Sequence, residues 1–274
     1  MNKRYLLTGV SVVVLLILVV IAVLVVKELQ SPFVSKPTFE VHFKSRTGLN
    51  QNLWNFEQGN TVAGYNKEEQ TYTTDNCAVS DDVLTIFARR ERKNERDYTS
   101  CRINLFQSLD VNGGKFIVIA RFPKGIGTFP AIWLRTSESR PDGKMTAEID
   151  IAEAQGARPG IIFANVHTKG SVESGVNPNQ GMIEVPDMYD TFHEYGVEWT
   201  PDRVIFTLDG KPYHEVHETI PYKLHLVMNL AMGGNWAKSL SERLQLGFPN
   251  GIDDGSEESW KLMIKDILYY PLKK

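Results

Sequence analysis

The sequence predicts an all-β sandwich or barrel of one domain, preceded by one N-terminal transmembrane helix. Short runs rich in Val, Ile, Phe, Tyr and Thr recur from about Thr38 to the end, punctuated by Gly, Pro, Asn and Asp. Past the N-terminus no stretch keeps a 3.6-residue apolar period for a dozen residues. At the N-terminus, Tyr5–Val26 runs for 22 residues without a charged side chain, and about 20 apolar residues cross a hydrocarbon core as a helix.

The N-terminal run has the length of an anchor rather than of a cleaved leader, whose apolar region is about 7–15 residues and ends in a small-x-small site. Its exit, Val25-Val26-Lys27-Glu28-Leu29-Gln30, offers no such site, and no Cys follows it for lipid attachment. Lys3 and Arg4 precede it, so the positive-inside rule keeps residues 1–4 in the cytoplasm and sends everything after the span outside. The predicted organisation is a tail over 1–4, a signal-anchor over 5–26, a proline-containing linker over 27–37 and an extracytoplasmic domain over 38–274. Within that domain Val83–Ala88, Phe116–Phe122, Arg203–Leu208 and Leu224–Leu230 read as strands. Asn112-Gly113-Gly114 and Asp209-Gly210 read as turns.

Composition narrows the function. At 42% hydrophobic and 23% charged residues the chain is globular rather than disordered. Without residues 1–26 it carries 28 Lys and Arg against 33 Asp and Glu. That mildly acidic balance excludes a nucleic-acid binder working through a basic face. Cys77 and Cys101 are compatible with one bridge in an oxidising compartment or with two separate buried thiols. No Cys/His cluster has zinc spacing, and no Asn-x-Ser/Thr sequon is present.

The most informative stretch is Met145–Gly156, MTAEIDIAEAQG. On a strand, successive side chains take opposite faces, so Glu148 and Asp150 share one face while Ile149 and Ile151 enter the core. Strict alternation sends Glu153 to the wrong face, and one bulge residue near Ala152 corrects this. A helix would instead set Glu148 and Asp150 about 200° apart. Like charges in one row repel, so three on one face point to use. Retaining glycosidic cleavage needs a carboxylate nucleophile and a protonated carboxyl about 5 Å away. Four strand steps set the Cα atoms of Glu148 and Glu153 roughly 13 Å apart, a gap that side chains leaning together on a curved strand can close. Asp150 between them can hydrogen-bond the nucleophile, and the crowding raises at least one pKa.

Gly127-Thr-Phe-Pro-Ala-Ile-Trp133-Leu before the acids and Asn229-Leu-Ala-Met-Gly-Gly-Asn-Trp236 after them complete a pattern. With Asn66-x-Glu68-x-Gln70-x-Tyr72, Phe87-Ala-Arg89, Tyr98-Thr-Ser-x-Arg102-Ile103, Phe192-His-x-Tyr-x-x-Glu198-Trp and Met263-x-x-Asp266, it resembles glycoside hydrolase family 16, the laminarinase-like β-glucanases, over roughly residues 40–270. The resemblance implies a β-jelly-roll sandwich of two curved antiparallel sheets with a sugar groove on the concave one. It implies a retaining mechanism with Glu148 as nucleophile, Asp150 as its helper and Glu153 as general acid/base. The extra residue before Glu153 is similar to the bulged laminarinase branch rather than the E-x-D-x-E of lichenases and xyloglucan transglycosylases.

Pyranose rings pack their C–H faces on aromatic planes. By matched position Trp133 is expected to be a stacking platform near the cleaved bond and Trp236 a second contact. Phe129 stands where the family usually has Trp, which weakens stacking there. Arg89 and Asn66 match positions that hydrogen-bond sugar hydroxyls, His167 matches a groove histidine, and Arg102 reads as sugar-binding or structural. The run Arg89–Asp97 beyond Arg89 is mixed in sign and reads as a solvated hairpin tip.

Family members often carry calcium between an N-terminal acid and a C-terminal Asp. Asp266 matches the latter, but His42 replaces the acid, and calcium prefers oxygen ligands. The sequence therefore predicts no metal and no cofactor. The expected function is an endo-acting β-glucan hydrolase, β-1,3-linked by default, working as a membrane-anchored monomer on a polysaccharide. The alternatives are a transglycosylase and a non-catalytic carbohydrate sensor; sensors typically lose a glutamate, and both are retained here.

Overall fold

The computed structural model describes residues 13–22, 26, 30–60, 66–136, 146–156, 158, 160–168, 179–237 and 260–274. Of the expected anchor, residues 13–22 and 26 are helical and exposed; the rest of it, and the whole tail over 1–4, lies outside the described residues. Among the described residues no helix is long and apolar enough to cross a membrane. The linker is not a free tether throughout. Phe33 is 4% exposed and bridges Leu272, with Val34 N–H donating to Pro271 O at 3.0 Å and Lys273 N–H to Pro32 O at 2.7 Å. A large apolar ring gains more by burial than a tether gains by freedom, so the segment is strapped to the domain.

The described residues form β1 (Phe39–His42), β2 (Asn55–Phe56), β3 (Gly59–Asn60), β4 (Gln70–Tyr72), β5 (Cys77–Ser80) and β6 (Val83–Phe87). They continue with β7 (Tyr98–Ser100), β8 (Arg102–Asn104), β9 (Gly114–Arg121), β10 (Thr128–Thr136), β11 (Ala147–Ala154) and β12 (Ile161–Thr168). The last six are β13 (Gly181–Glu184), β14 (His193–Thr200), β15 (Arg203–Leu208), β16 (Lys211–Val216), β17 (Leu224–Met232) and β18 (Lys261–Tyr270). All four runs read as strands lie within β6, β9, β15 and β17, give or take an end residue. Asp209 and Gly210 make the two-residue turn between β15 and β16, both at positive φ (49° and 71°), the geometry that matches strand twist. Lys93 pairs with Arg96 across Asn94 and Glu95, so the mixed-charge run is a solvated hairpin tip.

Two antiparallel sheets make the sandwich. One has the order β13-β12-β11-β10-β17-β8-β2. The other runs β16-β15-β14-β9-β18-β6-β5, with β1 also pairing β18. Alternation along each strand sends one set of side chains between the sheets, where Ile132, Leu134, Ile149, Ile162, Val166 and Met228 meet Val118, Val197, Phe206 and Ile264 in one buried core. Each such side chain contributes about 1.5–3 kcal/mol on burial. Cys77 on β5 and Cys101 between β7 and β8 are joined in a disulfide, which settles their pairing.

Candidate active site

The outward face of β11 carries the carboxylates. Against β12, Glu148 pairs with His167, Asp150 with Asn165 and Glu153 with Phe163, so three steps on β11 match two on β12. Against β10, Trp133 pairs with Asp150 and Ile132 with Ala152, leaving Ile151 as the extra residue. This is the bulge that alternation demanded. Ile149, Ile151 and Ala152 are all buried, while Glu148, Asp150 and Glu153 share the outer face.

Packing makes the row electrostatically tense. Burial, then the charges of Asp150 and Glu153, push Glu148 well above the usual carboxylate range, opposed in part by Arg102. Burial, then Asp150 and Glu68, push Glu153 up in the same way. Asp150 is 2% exposed. His167 Nε2 lies 3.2 Å from Asp150 Oδ2 and 3.8 Å from Glu148 Oε1, and 3.1 Å from Asn165 Nδ2. Burial lowers the pKa of this imidazole, but its hydrogen bond to Asp150 and that residue's charge outweigh the burial and raise it. A row of this kind holds a proton on at least one member near neutrality, which supplies an acid and a base in one place.

Beside the acids lies an aromatic and amide floor. Trp133 Nε1 donates to Asn229 Oδ1 at 2.9 Å, and the Arg102 guanidinium sits 4.8 Å from the Trp133 ring centroid. Arg102 and Arg135 both pair with Glu57, at 3.2 and 3.4 Å. Trp236, on the short helix Gly234–Ala237, packs on Phe129 and Phe163 with ring centroids at 4.6 and 5.3 Å. Phe129 is only 7% exposed; it supports Trp236 instead of offering an open face of its own. The Asn66 carbonyl accepts from Asn235 N–H at 2.5 Å, which brings Asn66 to the Trp236 loop. Gln70 Nε2 donates to Glu68 Oε2 at 3.0 Å and Gln70 Oε1 accepts from Met232 N–H at 2.7 Å, so Glu68 is held where its charge reaches Glu153.

Arg89 lies apart from the carboxylate row. Its backbone pairs with Thr99 and its guanidinium lies 4.7 Å from the Phe87 ring centroid, and no contact among the described residues joins it to the carboxylates. The reading of single motifs missed Asn165, Asn229, Arg135, Glu57 and Glu68 as site residues. Arg135 follows Trp133 by two on the same strand face, a parity the sequence already contained.

The end of β11 closes against the loop leading into β10. Gly156 N–H donates to Thr128 O at 2.9 Å, and a Cβ at Gly156 would lie 2.6 Å from the Gly125 carbonyl carbon. Among the described residues Glu148, Asp150 and His167 bring ligand atoms within 4.8 Å of one another, a set able to hold a cation. On the opposite sheet His42 Nδ1 lies 2.6 Å from Asp266 Oδ1 and Nε2 3.0 Å from Glu40 Oε2. Those two hydrogen bonds raise the imidazole pKa. The imidazole thus bridges the two acids Glu40 and Asp266.

Residues 64–247 match the sequence model of Glycosyl hydrolases family 16. The chain is 33% identical over 205 residues to the beta-glucanase of Rhodothermus marinus, covering 67% of this chain and 70% of that one. It is 30% identical over 207 residues to the glucan endo-1,3-beta-glucosidase of Cryptopygus antarcticus, covering 67% and 76%. Among solved structures, the laminarinase from Rhodothermus marinus superposes with a TM-score of 0.76 at 27% identity, over 89% of this chain and all of that one.

Proposed function

The chain belongs to glycosyl hydrolase family 16, and we propose that it is a retaining, endo-acting glycosidase that cleaves β-1,3-linked glucan by double displacement. The observation that carries this is the bulge in β11, which sets Glu148, Asp150 and Glu153 on one face with raised pKa values at both glutamates. The preference for β-1,3 linkages rests on the relatives named glucan endo-1,3-beta-glucosidase and laminarinase.

In the first displacement, ionised Glu148 attacks the anomeric carbon while protonated Glu153 gives its proton to the departing glycosidic oxygen. A glycosyl ester on Glu148 results. Glu153, now a carboxylate, takes a proton from water, which attacks the same carbon and releases Glu148. Asp150 and His167 hydrogen-bond along the row and hold the nucleophile's charge. Trp133 and Trp236 stack on sugar rings, with Phe129 beneath Trp236 and Asn66 at its loop, and Arg89 is a candidate to hydrogen-bond sugar hydroxyls. The uncharged run Tyr5–Val26 behind Lys3 and Arg4 supports a single-pass anchor with this domain outside, and protease added to intact cells should digest the domain.

The experiment for the activity is product analysis of the full chain against linear β-1,3-glucan, mixed-linkage glucan and galactans. Oligosaccharides from β-1,3-glucan with β-configured new reducing ends are expected. Release from none of them overturns the reading.

A further inference from the structure

Beyond the carboxylate row, the same sheet face ends in a cavity of about 310 Å³ lined by Gly160, Ile161, Glu184, Pro186 and Tyr189. Strand register fixes its relation to the site. Phe163 faces Glu153 across β11 and β12, and Ile161 stands two residues further along β12 on the same side, opposite Glu184 of β13. Two strand residues span about 7 Å, so the cavity begins within one sugar's reach of the Glu153 end of the row.

Its lining suits a pyranose. Ile161 and Pro186 give apolar surface for ring C–H groups. Tyr189 is fixed as a wall, because its hydroxyl accepts from Gly160 N–H at 2.9 Å. The Glu184 carboxylate is exposed and has no hydrogen-bond or ion-pair partner among the described residues, which leaves both oxygens to accept from hydroxyls. The volume is at the lower end of small-molecule sites, about 300–1,000 Å³. We propose that this cavity is a sugar subsite taking one pyranose unit of the glucan at the Glu153 end, with Glu184 accepting its hydroxyls and Tyr189 as its wall. The inference rests on the glycosidase reading and adds a specificity determinant to it. A main-chain unit and a branch sugar present the same chemistry to the cavity.

The test compares the full chain with Glu184→Ala, which removes the acceptor, and Ile161→Trp, which fills the space. Substrates are a short aryl β-glucoside oligosaccharide, long linear β-1,3-glucan and a branched β-1,3-glucan. Both variants should lose about tenfold in kcat/KM, the equivalent of one good contact, on substrates that reach the cavity, and nothing on the short one. Loss on linear and branched glucan alike assigns a main-chain unit; loss on branched glucan alone assigns a branch. Unchanged kinetics on every substrate, or equal loss on the short one, overturns the subsite. If the wild-type chain cleaves no glucan, the functional reading fails by itself. Calorimetric titration with linear and branched β-1,3-gluco-oligosaccharides then decides the cavity: tighter binding to wild type than to Glu184→Ala supports it, and equal binding overturns it.

Discussion

Replacing Gly156 with Ala should disable the site without touching a carboxylate. The added methyl would lie 2.6 Å from the Gly125 carbonyl carbon and 2.7 Å from Thr128 Oγ1. The Gly125 carbonyl oxygen is nearer still, and non-bonded heavy atoms rest at about 3.5–4.0 Å, so well over about 1 Å must open between the end of β11 and the loop before β10. Neither partner is the loose end of a long side chain. Gly125 is backbone, and Thr128 Oγ1 is tied to Gly125 O at 2.7 Å. Overpacking of this kind costs about 3 kcal/mol or more, the upper end of the usual range, which lowers Tm by about 2–4 °C per kcal/mol in a domain of this size. Glu153 sits three residues upstream, and a misplacement of about 1 Å at a reacting group costs about a hundredfold. Reducing-sugar release should therefore fall about a hundredfold in kcat while the fold survives a lower melting temperature. Gly210→Ala is the control. It has open space around it and φ +71°, so it should lose about 1–2 kcal/mol from backbone conformation with kcat intact. Wild-type turnover and Tm in Gly156→Ala, or an equal kcat loss in Gly210→Ala, refutes the reasoning.

Three further outcomes concern the carboxylates. Glu148→Gln should lose several orders of magnitude in turnover, because an amide forms no glycosyl ester. Its Tm should nevertheless exceed wild type at pH 7: the folded pKa of Glu148 is raised, so its ionisation costs stability as pH climbs through that value, and the advantage should vanish below the unfolded carboxylate value of about 4.3. Asp150→Asn should cost less activity than Glu148→Gln and move the alkaline limb of the kcat profile to lower pH, since Asp150's charge is among the forces holding Glu153's proton on; an unmoved limb excludes that coupling. Glu153→Ala should regain turnover on an activated aryl glycoside with azide and yield the β-glycosyl azide by chromatography and NMR; the α product would exchange the roles of the two glutamates.

Face parity was the legible part of this site. Glu148 and Asp150 against Ile149 follow from period two alone, and the failure of that period at Glu153 called for a bulge near Ala152, which falls at the neighbouring Ile151. Which strands become neighbours was not legible, because periodicity assigns faces and says nothing about distant pairing. β17 lies beside β10 with Val227 opposite Trp133, and this is what delivers Asn229 to the Trp133 indole. Phe129 stands at a matched position with weakened stacking, but its packing against Trp236, about a hundred residues later, was not legible. The contact of the Arg89 guanidinium with the Phe87 ring was equally hidden. The two cysteines were undecidable until β5 and the β7–β8 junction were seen side by side.

The connectivity of the site sheet sets an order of assembly. β10, β11, β12 and β13 follow one another in the chain and pair in that same order. The acids therefore belong to a meander whose contacts are local and form without long loop closure. β17 is different: it inserts between β10 and β8 from far downstream, bringing Asn229 and the turn that carries Trp236. Pairing across such separations is slow. During refolding the charged row should thus exist before its aromatic floor, and regained turnover should trail regained sheet structure. Enzymatic activity in this chain is a clock for the last long-range pairing, not for the first hairpins.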